Sequence, residues 1–264
     1  MENTNWLRQT LAKPYFLDIQ WSKPQNRHTA GKPLIVGGNA HVFVAPAIAY
    51  AAAQKAGVGT LRVLLPDSTK KQLGQVPPAA EFTPSTASGS FRRQAIAQLH
   101  NAAAWADAVL LAGDFGRNSE TAIFLETAVH EYEGPLILAQ DALDYFLTAG
   151  SPILARPSTL LVINLAKLQK LAKNNRPTTP VLQGMSLYEL AVVLADWVNS
   201  TPAIILTKQG DSLVVAAGGQ VSTTPQPQDS NWQIELGAFA GVWWLQNLSR
   251  PFEAVTTAVW DYSK

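Results

Sequence analysis

Short continuous apolar runs alternate along this chain with longer amphipathic ones, and each pair reads as a buried strand followed by a covering helix. The first strand is PLIVGG at 33–38, closed by two glycines, and the small-residue helix APAIAYAAAQKAG at 45–57 follows it and stops at Gly57. TLRVLLP at 60–66 is a second strand. The Pro-, Ser- and Thr-rich stretch at 74–90 reads as a surface excursion. FRRQAIAQLHNAAAWAD then predicts a helix, AVLLAGDFG at 108–116 a strand entering a loop, and NSETAIFLETAVHEYE a helix with Asn118 as N-cap and Gly134 as its end. PLILAQDAL at 135–143 and TLLVINLAKLQKLAK at 159–173 repeat the strand-then-turn pattern. After the helix MSLYELAVVLADWVNS come AIILTKQG and SLVVAAGGQVSTTP, two strands close enough to pair as a hairpin, and helices at 236–248 and 251–261 end the chain.

Repeated strand–helix units predict an α/β fold with a mostly parallel central sheet covered by helices on both faces, because Leu-, Ile- and Val-rich runs without alternation suit strands buried on both sides. The length of 264 residues suits one domain, with residues 1–30 as an N-terminal extension and 31–264 as the core. Ligands in such sheets collect at the carboxyl ends of the strands. The loops to inspect are therefore 37–46, 112–118, 139–144, 163–167 and 207–211, with the late turn at 234–237.

Composition narrows the chemistry. Hydrophobic residues make up 47% and charged residues 15%, enough material for a large core. A net charge of +1 without a basic run leaves no electrostatic footprint for nucleic acid or an acidic membrane. The absence of cysteine excludes disulfides and thiol catalysis, and the four histidines, His28, His41, His100 and His130, have no metal-ligand spacing. No apolar run reaches membrane-spanning length and the N-terminus lacks the pattern of a signal peptide, so a cytoplasmic protein is expected.

Taken in order, the strand-end loops resemble one family, the ADP- or ATP-dependent NAD(P)H-hydrate dehydratases, which are ribokinase-like and related to carbohydrate kinases. In GKPLIVGGNAHVFVAPAIAYAAAQKAGVGTLRVLLP, Gly37, Gly38, Ala45, Pro46, Gly57 and Gly59 match the family's opening, while Val42 and Val44 replace its tyrosine and first glycine. AGDFGRN stands for the family's Gly-Pro-Gly-Leu-Gly loop, keeping Gly116 and Arg117 but inserting Asp114. AQDAL keeps Asp141 of the Asp-Ala-Asp-Ala-Leu motif and has Ala139 in place of its first carboxylate. VINLAK places Asn164 at the family's histidine and Lys167 at its glutamate, and TKQ retains Lys208 of its phosphate loop. IELG corresponds to the Gly-Thr-Gly-Asp turn, with Gly237 where the catalytic aspartate would stand and Ala240 and Gly241 matching the residues after it. The resemblance spans residues 30–260.

The resemblance implies a site with Gly37, Gly38, Ala45, Pro46 and Asn164 toward the substrate and Lys208, Gly116, Arg117, Gly237 and Gly241 toward a nucleotide. It implies ADP or ATP with Mg²⁺ if the protein is active, an NAD(P)H-type dinucleotide or nucleotide partner if the pocket survives, and a homo-oligomer. Glycine has no side chain to take a proton, so the expected function is a divergent relative with reduced or lost catalysis and at most a remnant pocket. The alternatives are an active nicotinamide-nucleotide repair lyase that uses Glu235 or Asp141 as a displaced carboxylate, and a small-molecule kinase of the ribokinase superfamily. Each candidate also has a plain structural reading: Glu235 as a solvated loop charge, Asp141 as a helix cap, Lys208 as a surface strand end, His41 as a solvated loop histidine. Asp114 adds a negative charge where phosphates would be cradled, which argues against nucleotide. Trp243, Trp244 and Trp260 read as core, except that adjacent tryptophans cannot share one helix face, so one of the pair is expected to face a partner.

Overall fold

The computed structural model describes residues 5–23, 30–73, 75–148, 152–175, 177–226 and 231–264. In chain order the elements are β1 (Trp6–Arg8), α1 (Leu17–Gln20), β2 (Pro33–Gly37), α2 (Val44–Lys55), β3 (Arg62–Pro66), β4 (Ala80–Thr83), α3 (Ile96–Trp105), β5 (Ala108–Gly113) and α4 (Ser119–Glu131). They continue with β6 (Leu136–Ala139), β7 (Thr159–Val162), α5 (Leu165–Asn175), α6 (Leu187–Asn199), β8 (Ile204–Gln209), β9 (Ser212–Ala217), β10 (Gln220–Pro225), α7 (Trp232–Leu245) and α8 (Pro251–Tyr262), with short 3₁₀ turns between. All ten strands form one sheet in the order β1-β10-β9-β8-β7-β6-β5-β2-β3-β4. From β8 to β4 every pairing is parallel, while β9 runs antiparallel to both β8 and β10. The expected α/β sandwich is therefore present.

Strand residues alternate between two apolar layers. Leu34, Val36, Leu111 and Leu138 pack with α3 to α6, whereas Ile35, Leu110, Ile137 and Val162 pack with α2, α7 and α8. Caps act where the sequence offers them. Asn118 Oδ1 accepts the Glu120 amide at the start of α4, and Ser186 with Glu189 forms a reciprocal capping box on α6.

Several expectations change. The 74–90 segment is not wholly excursion, because Ala80–Thr83 pairs with β3 as an edge strand. SLVVAAGGQVSTTP is two strands rather than one, since Gly218 and Gly219 both take positive φ (55° and 79°) and turn the chain back. α4 ends at Glu131 with Tyr132 after it, ahead of Gly134. Residues 5–23 do more than extend the chain: β1 adds to the sheet beside β10, and the buried Gln9 Nε2 donates to Thr224 Oγ1 (2.6 Å) and Thr256 O (2.9 Å).

The largest change concerns α7. It begins at Trp232, ahead of the predicted 236, so IELGAFAGVWW lies wholly inside it. The helix packs on β5, β6 and β7 and is flanked by α2 and α8. That enclosure leaves no exposed face, and Trp243 and Trp244 are each only 2% exposed, correcting the expectation that one of them faces outward. Apolar residues all round a helix are what such a sandwiched position requires.

Candidate functional site

The carboxyl ends of β2, β5, β6 and β7 converge, and glycine decides how closely. Gly38 N–H donates to Gly113 O at 2.9 Å, and a Cβ on Gly37 would lie 2.5 Å from that same oxygen, so only glycine lets the two strand ends meet. Asn39 fixes the loop beyond. Its Oδ1 accepts the amides of His41 (2.8 Å) and Val42 (3.2 Å), and its Nδ2 donates to Asp114 O (2.7 Å).

Asp114 then crosses to the next element. Its Oδ2 accepts the Ala45 N–H at 2.7 Å, placing a carboxylate on the first turn of α2, whose own N-cap residue, Phe43, supplies no side-chain cap. A negative charge there complements the helix dipole and takes the place an anionic ligand would have. The backbone bends to allow it: among the described residues Asp114 (φ 61°), Gln140 (φ 49°) and Ser158 are the non-glycines with positive φ, and the first two sit on adjacent strand ends.

Asp141 lies behind this loop. Its Oδ2 accepts the Gly116 N–H at 3.2 Å, while its buried Oδ1 has no partner. Burial pushes its pKa upward, the Asp114 charge adds to the rise, and the amides of Gly116 and Phe115 and the Lys167 ammonium oppose it. The Tyr145 hydroxyl donates to Gly116 O, and burial raises its pKa as well. Lys167 Nζ donates to Gln140 O (2.7 Å) and pairs with Asp144 (2.8 Å). Asn164, expected toward substrate, uses its Oδ1 to accept the Lys167 N–H at 2.9 Å in the first turn of α5. Arg117 is exposed at the mouth of the loop.

The 234–237 turn is a correction, because these residues belong to α7. Gly237 and Gly241 sit within its hydrogen-bonded turns and mark its closest approach to the sheet. A Cβ on Gly237 would lie 3.3 Å from Val162 Cγ2, and one on Gly241 3.3 Å from Ile137 Cδ1. Neither glycine amide is open to a phosphate there. Glu235, on the first turn, accepts the Tyr262 hydroxyl at Oε2 (2.6 Å), so it is engaged by α8. Lys208 stands near the end of β8, half-buried and opposite Leu213.

The structure thus gathers Gly37, Gly38, Ala45, Gly116 and Asp141 into one cluster with Asp114, and adds Asn164 through Lys167. It places Glu235, Gly237 and Gly241 apart, on α7. Sequence reasoning missed Gln140 and Tyr145. The only available signal was that Tyr145 follows Asp141 by four residues, within reach of the same face of a helical turn. Among the described residues no three His, Asp or Glu side chains come together as a metal site, and no helix is long and apolar enough to cross a membrane.

A mostly parallel sheet wrapped on both faces, with its loops converging at the strand ends, is a doubly wound α/β fold, and solved structures place it with the ribokinase-like fold. A ribokinase-like superfamily protein from Enterococcus faecalis superposes over 100% of this chain and 88% of its own, with a TM-score of 0.72 at 15% identity. The ADP/ATP-dependent NAD(P)H-hydrate dehydratase of Bacillus subtilis, co-crystallised with ATP and Mg²⁺, covers 95% of this chain and 87% of its own, with a TM-score of 0.62 at 14% identity. Likeness at such identities shows the fold. In sequence, the chain is 32% identical over 116 residues to the bifunctional NAD(P)H-hydrate repair enzyme Nnr of Methanothermobacter thermautotrophicus, a match covering 43% of this chain and 22% of that enzyme. No family model matches the chain. The NAD(P)H-hydrate repair resemblance thus recurs in the 116-residue sequence match, and the fold comparisons supply the ribokinase-like fold.

Proposed function

We propose that this protein is a divergent relative of the NAD(P)H-hydrate dehydratases in which the dehydratase reaction is reduced or lost, and which keeps at most a remnant nucleotide or dinucleotide pocket at the strand ends. The observation carrying this reading is Gly237. The position that aligns with the family's catalytic aspartate lies within α7 against Val162, where there is neither a carboxylate nor a free turn. Two further observations support it: Glu235 is held by Tyr262, and Asp114 puts negative charge on the α2 terminus. The residues present do not form a phosphate cradle at 234–237, so that segment offers ADP or ATP no phosphate site. The kinase reading meets the same objection, since it relies on an aspartate in the same turn.

One observation favours the active-lyase alternative. Asp141 is a carboxyl group that burial inclines to hold its proton, set beside Lys167 and Tyr145 at the strand ends, which is how a general acid is prepared. The test is titration calorimetry with ADP, ATP and NADPH, each with Mg²⁺, followed by a hydrate-repair assay. Binding without turnover is the expected result. Turnover that Asp141→Asn or Glu235→Gln abolishes would overturn the proposal and identify the displaced group.

A further inference from the structure

A second concave site lies on the α2 side of the sheet, beside the strand ends of β2 and β3 and sharing Pro46 with the expected substrate loop. It lies between α2 and the outer strands β3 and β4. It is a hollow of about 230 Å³ with Val63 and Leu65 among its β3 residues, Phe43, Pro46 and Tyr50 on α2, and Pro77 from the segment before β4. A second hollow of about 350 Å³, lined by Gln54 and Thr60 among others, shares Tyr50 as a wall. No charged side chain lines either one. At their junction the Tyr50 hydroxyl accepts a hydrogen bond from Gln54 Nε2 at 3.1 Å, which leaves its own proton free to donate.

We infer that these hollows form a binding site for a neutral amphipathic small molecule, an aromatic or short branched body seated against Phe43, Pro46 and Val63 with a hydrogen-bond acceptor at the Tyr50 hydroxyl. The size is sufficient, since an engineered apolar cavity of about 150 Å³ already takes up benzene. An apolar body with one or two placed polar contacts is the ordinary composition of a small-molecule site. The absence of charged lining disfavours an ionic head, whose desolvation nothing would repay. A second copy of the chain fits less well. In a two-fold contact this concave patch would face itself, and the exposed Val42, Val44 and Val76, next in sequence to the lining residues Phe43 and Pro77, are too short to fill it. The occupant would back directly onto the β2 loop, because Phe43 Cβ and Pro46 Cγ already lie 3.0 and 3.1 Å from where Cβ atoms on Gly38 and Gly37 would stand.

Fluorescence titration of the full chain with 2-naphthol, naphthalene and 2-naphthoate tests this. The expected result is saturable one-to-one binding of 2-naphthol in the micromolar range and weaker binding of the charged 2-naphthoate. Tyr50→Phe should weaken 2-naphthol by about five- to tenfold through the lost hydrogen bond and leave naphthalene unchanged. Ala47 lines the hollow from an exposed position on α2, so Ala47→Phe should fill it and abolish binding of all three without moving the urea midpoint. Three results would overturn the inference: no saturable binding, 2-naphthol binding that survives Ala47→Phe, or concentration-dependent dimerisation in sedimentation that Ala47→Phe removes. The last would assign the hollow to an interface between copies.

Discussion

Restoring the family's aspartate at position 237 is a direct test of how α7 sits on the sheet. In Gly237→Asp the new Cβ arrives 3.3 Å from Val162 Cγ2 and 3.8 Å from both Ala139 Cβ and Ile137 Cγ2. Crowding of that kind costs about 1–3 kcal/mol. The carboxyl group adds about 2–3 kcal/mol more, because Val162, Ala139 and Ile137 offer it no hydrogen-bond donor. The sum of roughly 3–6 kcal/mol is a large share of the stability of an ordinary domain, about 5–15 kcal/mol. It corresponds to a fall in Tm of roughly 6–24 °C at this size. Gly237→Ala separates the two costs: it keeps the Cβ crowding but gains about 1 kcal/mol of helix propensity and carries no carboxyl, so its loss should be no more than about 2 kcal/mol. The deficit of the aspartate variant should also depend on pH. Burial raises the folded pKa of the new carboxyl above its unfolded value, so the penalty for ionising it develops as pH rises through that interval and fades as pH falls toward 4. The assay is urea unfolding followed by tryptophan fluorescence at pH 4 and pH 7, with the hydrate-repair assay run on the folded fraction. A Gly237→Asp protein as stable as wild type would refute the packing argument, whereas one that gains dehydratase turnover would show that the missing carboxylate, not the enclosure of α7, accounts for the lost reaction.

Three further outcomes are expected. Asp141→Asn should stabilise the protein at pH 7, because the wild-type carboxyl has a raised folded pKa and loses stability as pH climbs from its unfolded value through the folded one; the gain should shrink toward pH 4, as paired urea curves will report. Arg156→Lys should cost roughly 2–4 kcal/mol in equilibrium unfolding. The guanidinium donates to Val129 O, Tyr132 O, Gly134 O, Pro157 O and Thr159 Oγ1, and a lysine ammonium cannot reach that fan of acceptors. Gln9→Ala should cost about 1–3 kcal/mol, read from the shift in Tm, since it leaves the buried Thr256 carbonyl without this donor and loosens β1 from the sheet edge.

The layered α/β sheet and most strand and helix positions were legible in the sequence, because continuous apolar runs and helical periodicity report burial locally. The Asn118 cap was equally local and depends on the chemistry of one residue and its neighbours, whereas the approach of Gly37 to Gly113 joins residues 76 positions apart. The tertiary structure alone decided the rest. Whether IELG is a turn or a helix depends on how tightly α7 can lie on Val162 and Ile137, a contact between residues about 75–100 positions apart in the chain. Asp114 could be read from sequence as a charge in a loop, but not as the carboxylate on the Ala45 amide, because that bond joins residues 69 positions apart. The same holds for Glu235 and Tyr262, and for the hollow beside Tyr50, whose walls come from α2, β3 and the start of β4. Local sequence fixes what each segment can form, whereas long-range packing fixes which polar groups meet, and a binding or catalytic site is made of those meetings.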